Sequence, residues 1–281
     1  MGSIFKFFMG LLFLMGLVLM LYIFASPENY DKVSNRAESI LSSIDIANYR
    51  SSSSQNNRTK KPRKSVNIPI LMYHHVKNHQ EYDDEVEKGL SVKIANFQEQ
   101  MKYLDSNGYQ TISLDQLFSD GGQKNIVITF DDGYKNVFTN AYPIMKEFDL
   151  TGTVFVITDF VGKDRYMNWD ELRELYNAGW QIQSHSLTHP NLTNISLEEA
   201  WNQIYNSKID IEKNISQIVT FLSYPAGKYN EEIIELIKKA NYNGAVSTER
   251  GIENTQENIY HLKRERVGGH SSIRDFIGLL N

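Results

Sequence analysis

From Ile68 to the C-terminus, short apolar runs bounded by polar residues or glycine alternate with segments whose apolar positions fall three and four apart. The runs Ile68 to Tyr73, Gln110 to Ser113, Ile126 to Phe130, Gly152 to Ile157, Trp180 to Gln183, Ile218 to Ser223, Gly244 to Ser247 and His261 to Val267 read as strands. Helical spacing covers Ile94 to Asn107, stopped by Gly108, a region near Val137 to Phe148, Trp169 to Ala178 closed by Gly179, Leu197 to Ile211, and Asn230 to Ala240. Repeated strand-then-helix units call for parallel strands with helices outside them, an α/β class. No internal repeat is visible.

Before this region the pattern changes twice. Ile4 to Ala25 is almost wholly apolar with Lys6 its only charge, and at about 1.5 Å per residue it is long enough for a hydrocarbon core of about 30 Å. It is a membrane anchor or a signal peptide; Phe24-Ala25-Ser26 matches a small-x-small cleavage site poorly, which favours an uncleaved anchor. Lys6 and the amino terminus would stay in the cytoplasm, placing the bulk of the chain outside a single-pass segment. Residues 26–66 have no periodicity beyond a short amphipathic stretch near Ala37 to Ile46, and Ser51 to Asn57 is wholly Ser, Gln and Asn, so this is a linker. Its basic cluster, Arg58, Lys60, Lys61, Arg63 and Lys64, is either a solvated face or an attachment to anionic wall polymer or lipid. The expected organisation is an anchor over 1–25, a linker over 26–66 and a catalytic domain over 67–281.

The 281 residues suffice for one large domain plus this appendage. A net charge of −5 argues against nucleic acid as a partner. Cysteine is absent, which excludes a disulfide scaffold, a thiolate metal site and a cysteine nucleophile. Any bound metal has only nitrogen and oxygen ligands.

Two polar clusters close apolar runs: Thr129-Phe130-Asp131-Asp132-Gly133 and His185-Ser186-Leu187-Thr188-His189. Each sits just past a strand's C-terminal end, where α/β folds gather their chemistry. Two histidines four apart can turn toward one ion, and an aspartate as third ligand leaves a coordination position open, the mark of a catalytic rather than a structural site. The other aspartate is placed to take a proton from an attacking water whose pKa the cation lowers. Singly, Asp-Asp-Gly is often a turn and His-x-x-x-His ordinary core or surface; together on strand ends they point to a metal hydrolase.

Thr-Phe-Asp-Asp-Gly followed by His-Ser-x-x-His resembles the first two motifs of the polysaccharide deacetylases, the carbohydrate esterase family 4 or NodB-homology group. The likeness covers roughly residues 68 to 281. Ile68-Pro69-Ile70-Leu71-Met72-Tyr73-His74-His75 looks like the start of the branch with the poly-N-acetylglucosamine deacetylases. The resemblance implies an incomplete, distorted (β/α)7 barrel. It makes Asp131 the general base and Asp132, His185 and His189 the ligands of a divalent ion, most often zinc, with cobalt, nickel or manganese also acceptable.

The leaving amine needs an acid with a pKa near 7, hence a histidine. His74 fits, ending the first strand on the same barrel face, whereas His75 should point away by strand alternation; His270 in Gly268-Gly269-His270 is the alternative, since the chain lacks the C-terminal Leu-x-His motif of other branches. The third family motif, Arg-x-Pro-Tyr/Phe-Gly, appears as Ser223-Tyr224-Pro225-Ala226-Gly227, a turn whose backbone N–H near Ala226 could serve the oxyanion or which is simply a strand end. Its base-orienting arginine is missing. Arg264 and Arg266 are candidates to steady Asp131 instead. Trp169 and Asp170 sit where the family places a pocket wall, or form a plain helix start.

The expected function is extracytoplasmic, metal-dependent N-deacetylation of an N-acetylglucosamine polysaccharide by a monomeric domain at the cell membrane. Poly-β-1,6-N-acetylglucosamine is preferred, with peptidoglycan or chitin oligomers as the alternative. The positive charge gained would hold such a polymer on an anionic surface and serve biofilm adhesion. A catalytically silent glycan-binding wall protein is the competing reading of another class, kept open by the missing arginine.

Overall fold

The computed structural model describes residues 65–119 and 124–280. The expected anchor lies outside these residues, as does the linker except Ser65 and Val66, which belong to the first strand. Among the described residues no helix is long and apolar enough to cross a membrane.

The chain runs through β1 (Ser65–Asn67), β2 (Ile70–Tyr73), β3 (His75–Val76), α1 (Glu85–Leu90), β4 (Ser91–Val92), α2 (Ile94–Ser106), β5 (Gln110–Thr111) and β6 (Asn125–Phe130). A π-helical turn at Val137–Ala141 leads into α3 (Tyr142–Glu147), followed by β7 (Thr153–Val156), α4 (Trp169–Asn177), β8 (Gln181–Ser184), α5 (Leu197–Ile215) and β9 (Phe221–Ser223). Then come α6 (Glu231–Lys239), β10 (Gly244–Val246), β11 (Glu253–Thr255), β12 (Glu265–Arg266) and α7 (Ile273–Gly278). The helices start where the sequence offers caps: Asn168 and Glu171 form a capping box on α4, and Ser196 Oγ accepts from Glu199 N–H at the start of α5.

The main sheet is parallel in the order β10-β9-β8-β7-β6-β2-β12, with β5 beside the first half of β6. Its edges meet because the segment entering β12 crosses to β10: Leu262 N–H donates to Ala245 C=O (2.9 Å), and Ser247 N–H to Leu262 C=O (2.9 Å). Seven strand positions thus encircle a lumen, a distorted (β/α)7 arrangement. The weakest seam is between β8 and β9, which share one register pair, Ser184 with Leu222. There the buried side chain of Gln183 replaces the ladder, its Oε1 accepting from the N–H groups of Thr220 and Phe221, both at 2.9 Å.

Alternation along the strands sorts side chains into two sets. Leu71, Tyr73, Ile126, Ile128, Phe130, Val154, Ile182 and Leu222 pack outward under the helices. Ile70, Val127, Phe155, Phe221, Val246 and Leu262 point inward and, with Leu114 and Leu117, make an apolar floor. One step up each strand the lumen turns polar, with buried Thr129, Ser223 and Arg264. Another step up lie His74, Asp131, His185 and Arg266. The polar residues at the C-terminal mouth therefore stand on a dry floor, which holds their positions and lowers the local dielectric.

Three expectations need correction. The last strand covers only Glu265–Arg266, because Gln256–His261 is wound into a 3₁₀ turn capped by Thr255. The helix expected from Val137 begins as a π-helical turn and ends at Glu147. The strand expected from Ile218 starts at Phe221, the preceding residues being held by side chains of Gln183 and Glu212. The β1–β11 pair, the β3–β4 pair and helices α1 and α7 were not foreseen.

Candidate active site

Asp131 leaves the end of β6 with its N–H donating to Tyr73 C=O (2.9 Å), and its carboxylate is buried. Arg264 meets it with Nη1 on Oδ1 and Nη2 on Oδ2, both 2.8 Å. The remaining guanidinium hydrogens go to Thr129 Oγ1 (3.0 Å), Ser223 Oγ (3.1 Å) and Ser247 C=O (2.9 Å), so all five donors are used. Burial alone would raise the Asp131 pKa, but the Arg264 guanidinium outweighs it and holds the carboxyl well below the usual carboxylate range. The cation that sequence reasoning left open between Arg264 and Arg266 is Arg264. Arg266 is exposed at the rim.

Asp132 occupies left-handed backbone at φ 73°, as do Ser186 (65°) and His189 (64°). Such backbone costs on the order of 1–3 kcal/mol per residue and clusters at functional sites. It turns Asp132 away from Asp131 and toward the histidines, Oδ1 lying 3.4 Å from His185 Nε2 and 3.8 Å from His189 Nε2. His185 Nδ1 is 2.8 Å from Ser223 C=O, a bond that requires the proton on Nδ1 and leaves the Nε2 lone pair for a ligand role. His189 N–H donates to Ser186 Oγ (3.0 Å), which tightens the turn carrying the second imidazole. The ligand atoms of Asp132, His185 and His189 all lie within 4.8 Å of one another. One carboxylate and two imidazoles converging in this way fit a divalent ion with positions left open.

Burial penalises each charge here, and the partners decide the outcome. Burial raises the Asp132 pKa, but the His185 bond and charge bring it below the ordinary value. Burial would lower His185, yet Asp132 and Asp131 raise it. Burial and the His185 charge leave His189 lowered.

His74 follows β2 at the mouth, half-buried; burial lowers its pKa while the charges of Asp131 and Asp132 oppose the shift. His75 faces away, buried, stacked on Tyr134 at 3.6 Å, with Nδ1 accepting from Asn136 Nδ2 (2.8 Å). His270 is exposed, and its ring neighbour is His79 at 6.4 Å rather than the Asp/His cluster.

The side chains of the other expected residues are engaged in packing or lie at the surface. Tyr224 is structural: its N–H donates to Val246 C=O (3.1 Å), its hydroxyl to Tyr260 C=O (2.7 Å), and its ring stacks on Tyr229. Pro225 is buried and starts the turn, and Ala226 sits exposed at φ 54°. Trp169 packs half-buried against the core at the start of α4, and Asp170 is an exposed ion-pair partner of Arg173 on the same helix. Both belong to the start of α4.

Tyr134 and Tyr166 were missed. Their rings stack at 5.1 Å beside Asp132, and burial followed by the Asp132 charge raises both phenols. Tyr134 lies two residues past Asp132, but nothing in the sequence pairs it with Tyr166.

A family model for polysaccharide deacetylases matches residues 119–245. YxkH of Bacillus subtilis (strain 168), named for the same family, is 32% identical over 216 residues, spanning 75% of this chain and 74% of that protein. A poly-β-1,6-N-acetyl-D-glucosamine N-deacetylase of Staphylococcus aureus (strain MRSA252) is 28% identical over 196 residues, covering 63% of this chain and 68% of the relative. Among solved structures, the Streptococcus pyogenes deacetylase PplD in complex with acetate superposes with a TM-score of 0.71 at 26% identity, over 76% of this chain and 98% of that one.

Proposed function

This chain belongs to the polysaccharide deacetylase family and is an amide hydrolase, and from that premise we propose that it removes acetyl groups from N-acetylglucosamine in poly-β-1,6-N-acetylglucosamine at the cell surface. The observation that carries the reading is the single mouth in which Asp131, held by Arg264, stands beside the convergent Asp132, His185 and His189. The S. aureus relative named for that polymer supports the choice of substrate.

Asp132, His185 and His189 are the proposed holders of a divalent ion, zinc by preference. When bound, the ion polarises the acetyl carbonyl and lowers the pKa of water. Asp131 stays ionised and accepts the proton of the attacking water. Arg264 fixes its orientation but also weakens it as a base. The turn at Ala226 supplies backbone polarity to the carbonyl oxygen. The cationic form of His74, which burial makes the lesser share at neutral pH, delivers a proton to the amide nitrogen as the C–N bond breaks. Asp131 thus gains the proton that His74 loses, and exchange with solvent resets both.

The reason for a binding-only reading, a base with no arginine, is answered by Arg264. We place the domain outside the cell on its Ile4 to Ala25 segment; an exported reporter fused after Asn281 and active only in the cytoplasm would overturn that placement. The chemistry is tested by free-amine and acetate release from β-1,6-linked N-acetylglucosamine oligomers, with and without chelator, beside Asp131→Asn and His185→Ala. Chelator-sensitive release lost in both variants is expected. Release only from peptidoglycan or chitin oligomers would keep the mechanism and change the substrate.

A further inference from the structure

Leu262, Arg264 and Arg266 share the lumen face of one extended segment, at rising heights. Leu262 is part of the floor, Arg264 is fully buried, and Arg266 is exposed at the mouth. Glu265 between them turns outward to Arg250 (3.2 Å). The register pairs Arg266 with Met72, and Val267 N–H donates to Met72 C=O (3.0 Å), so the next lumen-facing position beyond Met72 is His74. Arg266 and His74 are therefore neighbours on adjacent strand ends, and the Arg266 charge acts on the His74 ring.

The two arginines differ in one respect. Asp131 cancels the charge of Arg264, whereas Arg266 makes no side-chain hydrogen bond or ion pair with any described residue. An unpaired arginine elsewhere on the surface would be ordinary solvation. Here it puts an uncompensated positive charge at the entrance to a site whose reaction changes charge. Hydrolysis breaks the amide C–N bond and forms a C–O bond with water, and at neutral pH an uncharged N-acetyl group becomes an ammonium on the sugar and a free acetate. A fixed cation is indifferent to the first, repels the second and attracts the third.

We propose that Arg266 is a product-discriminating residue, which lowers the affinity of the mouth for the glucosamine just formed while leaving recognition of the uncharged, acetylated sugar to other groups. The inference rests on the deacetylase reading. Exposed unit charges a few ångströms apart in a solvent-dominated dielectric shift an equilibrium by about two- to five-fold, and salt screens the effect.

The test uses the purified full chain hydrolysing N-acetylglucosamine oligomers, with glucosamine oligomers and acetate added as inhibitors. Wild type, Arg266→Gln, Arg266→Met and Arg266→Lys are compared at low and high salt. In the Gln and Met variants the inhibition constant for glucosamine oligomers falls about two- to five-fold while that for acetate rises by a similar factor. The Lys variant keeps wild-type values, and at high salt the differences disappear. A merely structural role would not move two constants in opposite directions. Constants that stay put, move together, or differ equally at high salt overturn the role of Arg266 alone. Absence of acetate release by the wild type overturns the deacetylase reading and this inference with it.

Discussion

The carboxylate of Asp131 and the guanidinium of Arg264 meet in a two-pronged pair with both contacts at 2.8 Å, both side chains closed off from solvent. They are remote in sequence and adjacent in space because β6 and β12 flank β2 on its two sides. Thr129 Oγ1 ties the arrangement to β2 by donating to Leu71 C=O (2.7 Å) while accepting from Arg264. A buried ion pair offsets its desolvation only when every donor is used. That condition is met here, and the cation for this aspartate comes from the residue just before β12, far from the turn where the family motif would put it.

Removing that cation should therefore damage both stability and activity. Arg264→Met is expected to cost about 3–5 kcal/mol in chemical denaturation, because the Asp131 charge is left buried and alone. Arg264→Lys should retain part of the stability but lose the fork, and turnover should fall by at least about ten-fold as Asp131 loses its fixed orientation. The pH dependence has a definite sign. The folded pKa of Asp131 is depressed, so the pair's contribution is fully present above the unfolded value of about 3.9 and is lost as pH falls through the lower folded value. In Arg264→Met the acid limb of the stability profile should move to higher pH.

The Asp132, His185 and His189 constellation predicts a thermal readout independent of catalysis. A divalent ion at 100 times its dissociation constant stabilises a folded protein by about 2.7 kcal/mol. Zinc should accordingly raise the melting temperature of the wild type by about 5–10 °C, and chelator should reverse it. Asp132→Asn and His185→Ala should abolish the shift. An equal rise in these variants would place the ion elsewhere.

How legible the site was depended on sequence distance. Asp131 to Gly133 and His185 to His189 are compact clusters at the ends of apolar runs, and strand alternation already separates His74 from His75. Arg264 could be shortlisted but not chosen over Arg266, because the choice depends on how far along the segment entering β12 each residue sits. That in turn depends on where the 3₁₀ turn Gln256–His261 releases the chain. At Tyr224, Trp169 and Asp170 the sequence positions matched a motif but did not disclose the packing and helix-start contacts that engage their side chains. The Tyr134–Tyr166 stack was invisible because it joins loops after β6 and β7, and loop contacts leave no periodic trace.

His75 sets a second pH effect, of a sign opposite to that of a histidine gaining an acidic partner. Asn136 Oδ1 accepts from Val76 N–H (2.9 Å), which orients its Nδ2 to donate to His75 Nδ1 and so requires that nitrogen to be unprotonated. Burial, only partly offset by Glu87, pushes the His75 pKa down to about 4. The unfolded chain takes up a proton near 6.5 that the folded one refuses, so this contribution is present above 6.5 and is lost as pH falls toward 4. Compared with His75→Phe, which keeps the stack on Tyr134, the wild type should lose up to about 1.4 kcal/mol per pH unit across that window. Parallel profiles for the two proteins would show that His75 is not held neutral.

The turn after β9 gives two neighbouring positions opposite expectations. Gly227 has φ 69°, and a Cβ placed there would fall 2.0 Å from Thr248 Oγ1 and 2.8 Å from Thr248 Cβ. Gly227→Ala must therefore shift either the turn or the strand end that carries Thr248, at a cost of about 1–3 kcal/mol. Ala226, at φ 54°, already carries the strain of a left-handed non-glycine residue. Ala226→Gly should relieve it and change stability by less than about 1 kcal/mol, since the freedom gained by the unfolded chain works the other way. Activity separates the roles further. If the backbone here serves the carbonyl oxygen, Gly227→Ala lowers turnover by at least about ten-fold at unchanged metal content, whereas Ala226→Gly, which keeps its N–H, stays near the wild type. A Gly227→Ala enzyme with normal turnover would remove this turn from the reaction and leave it as the strand end it also is.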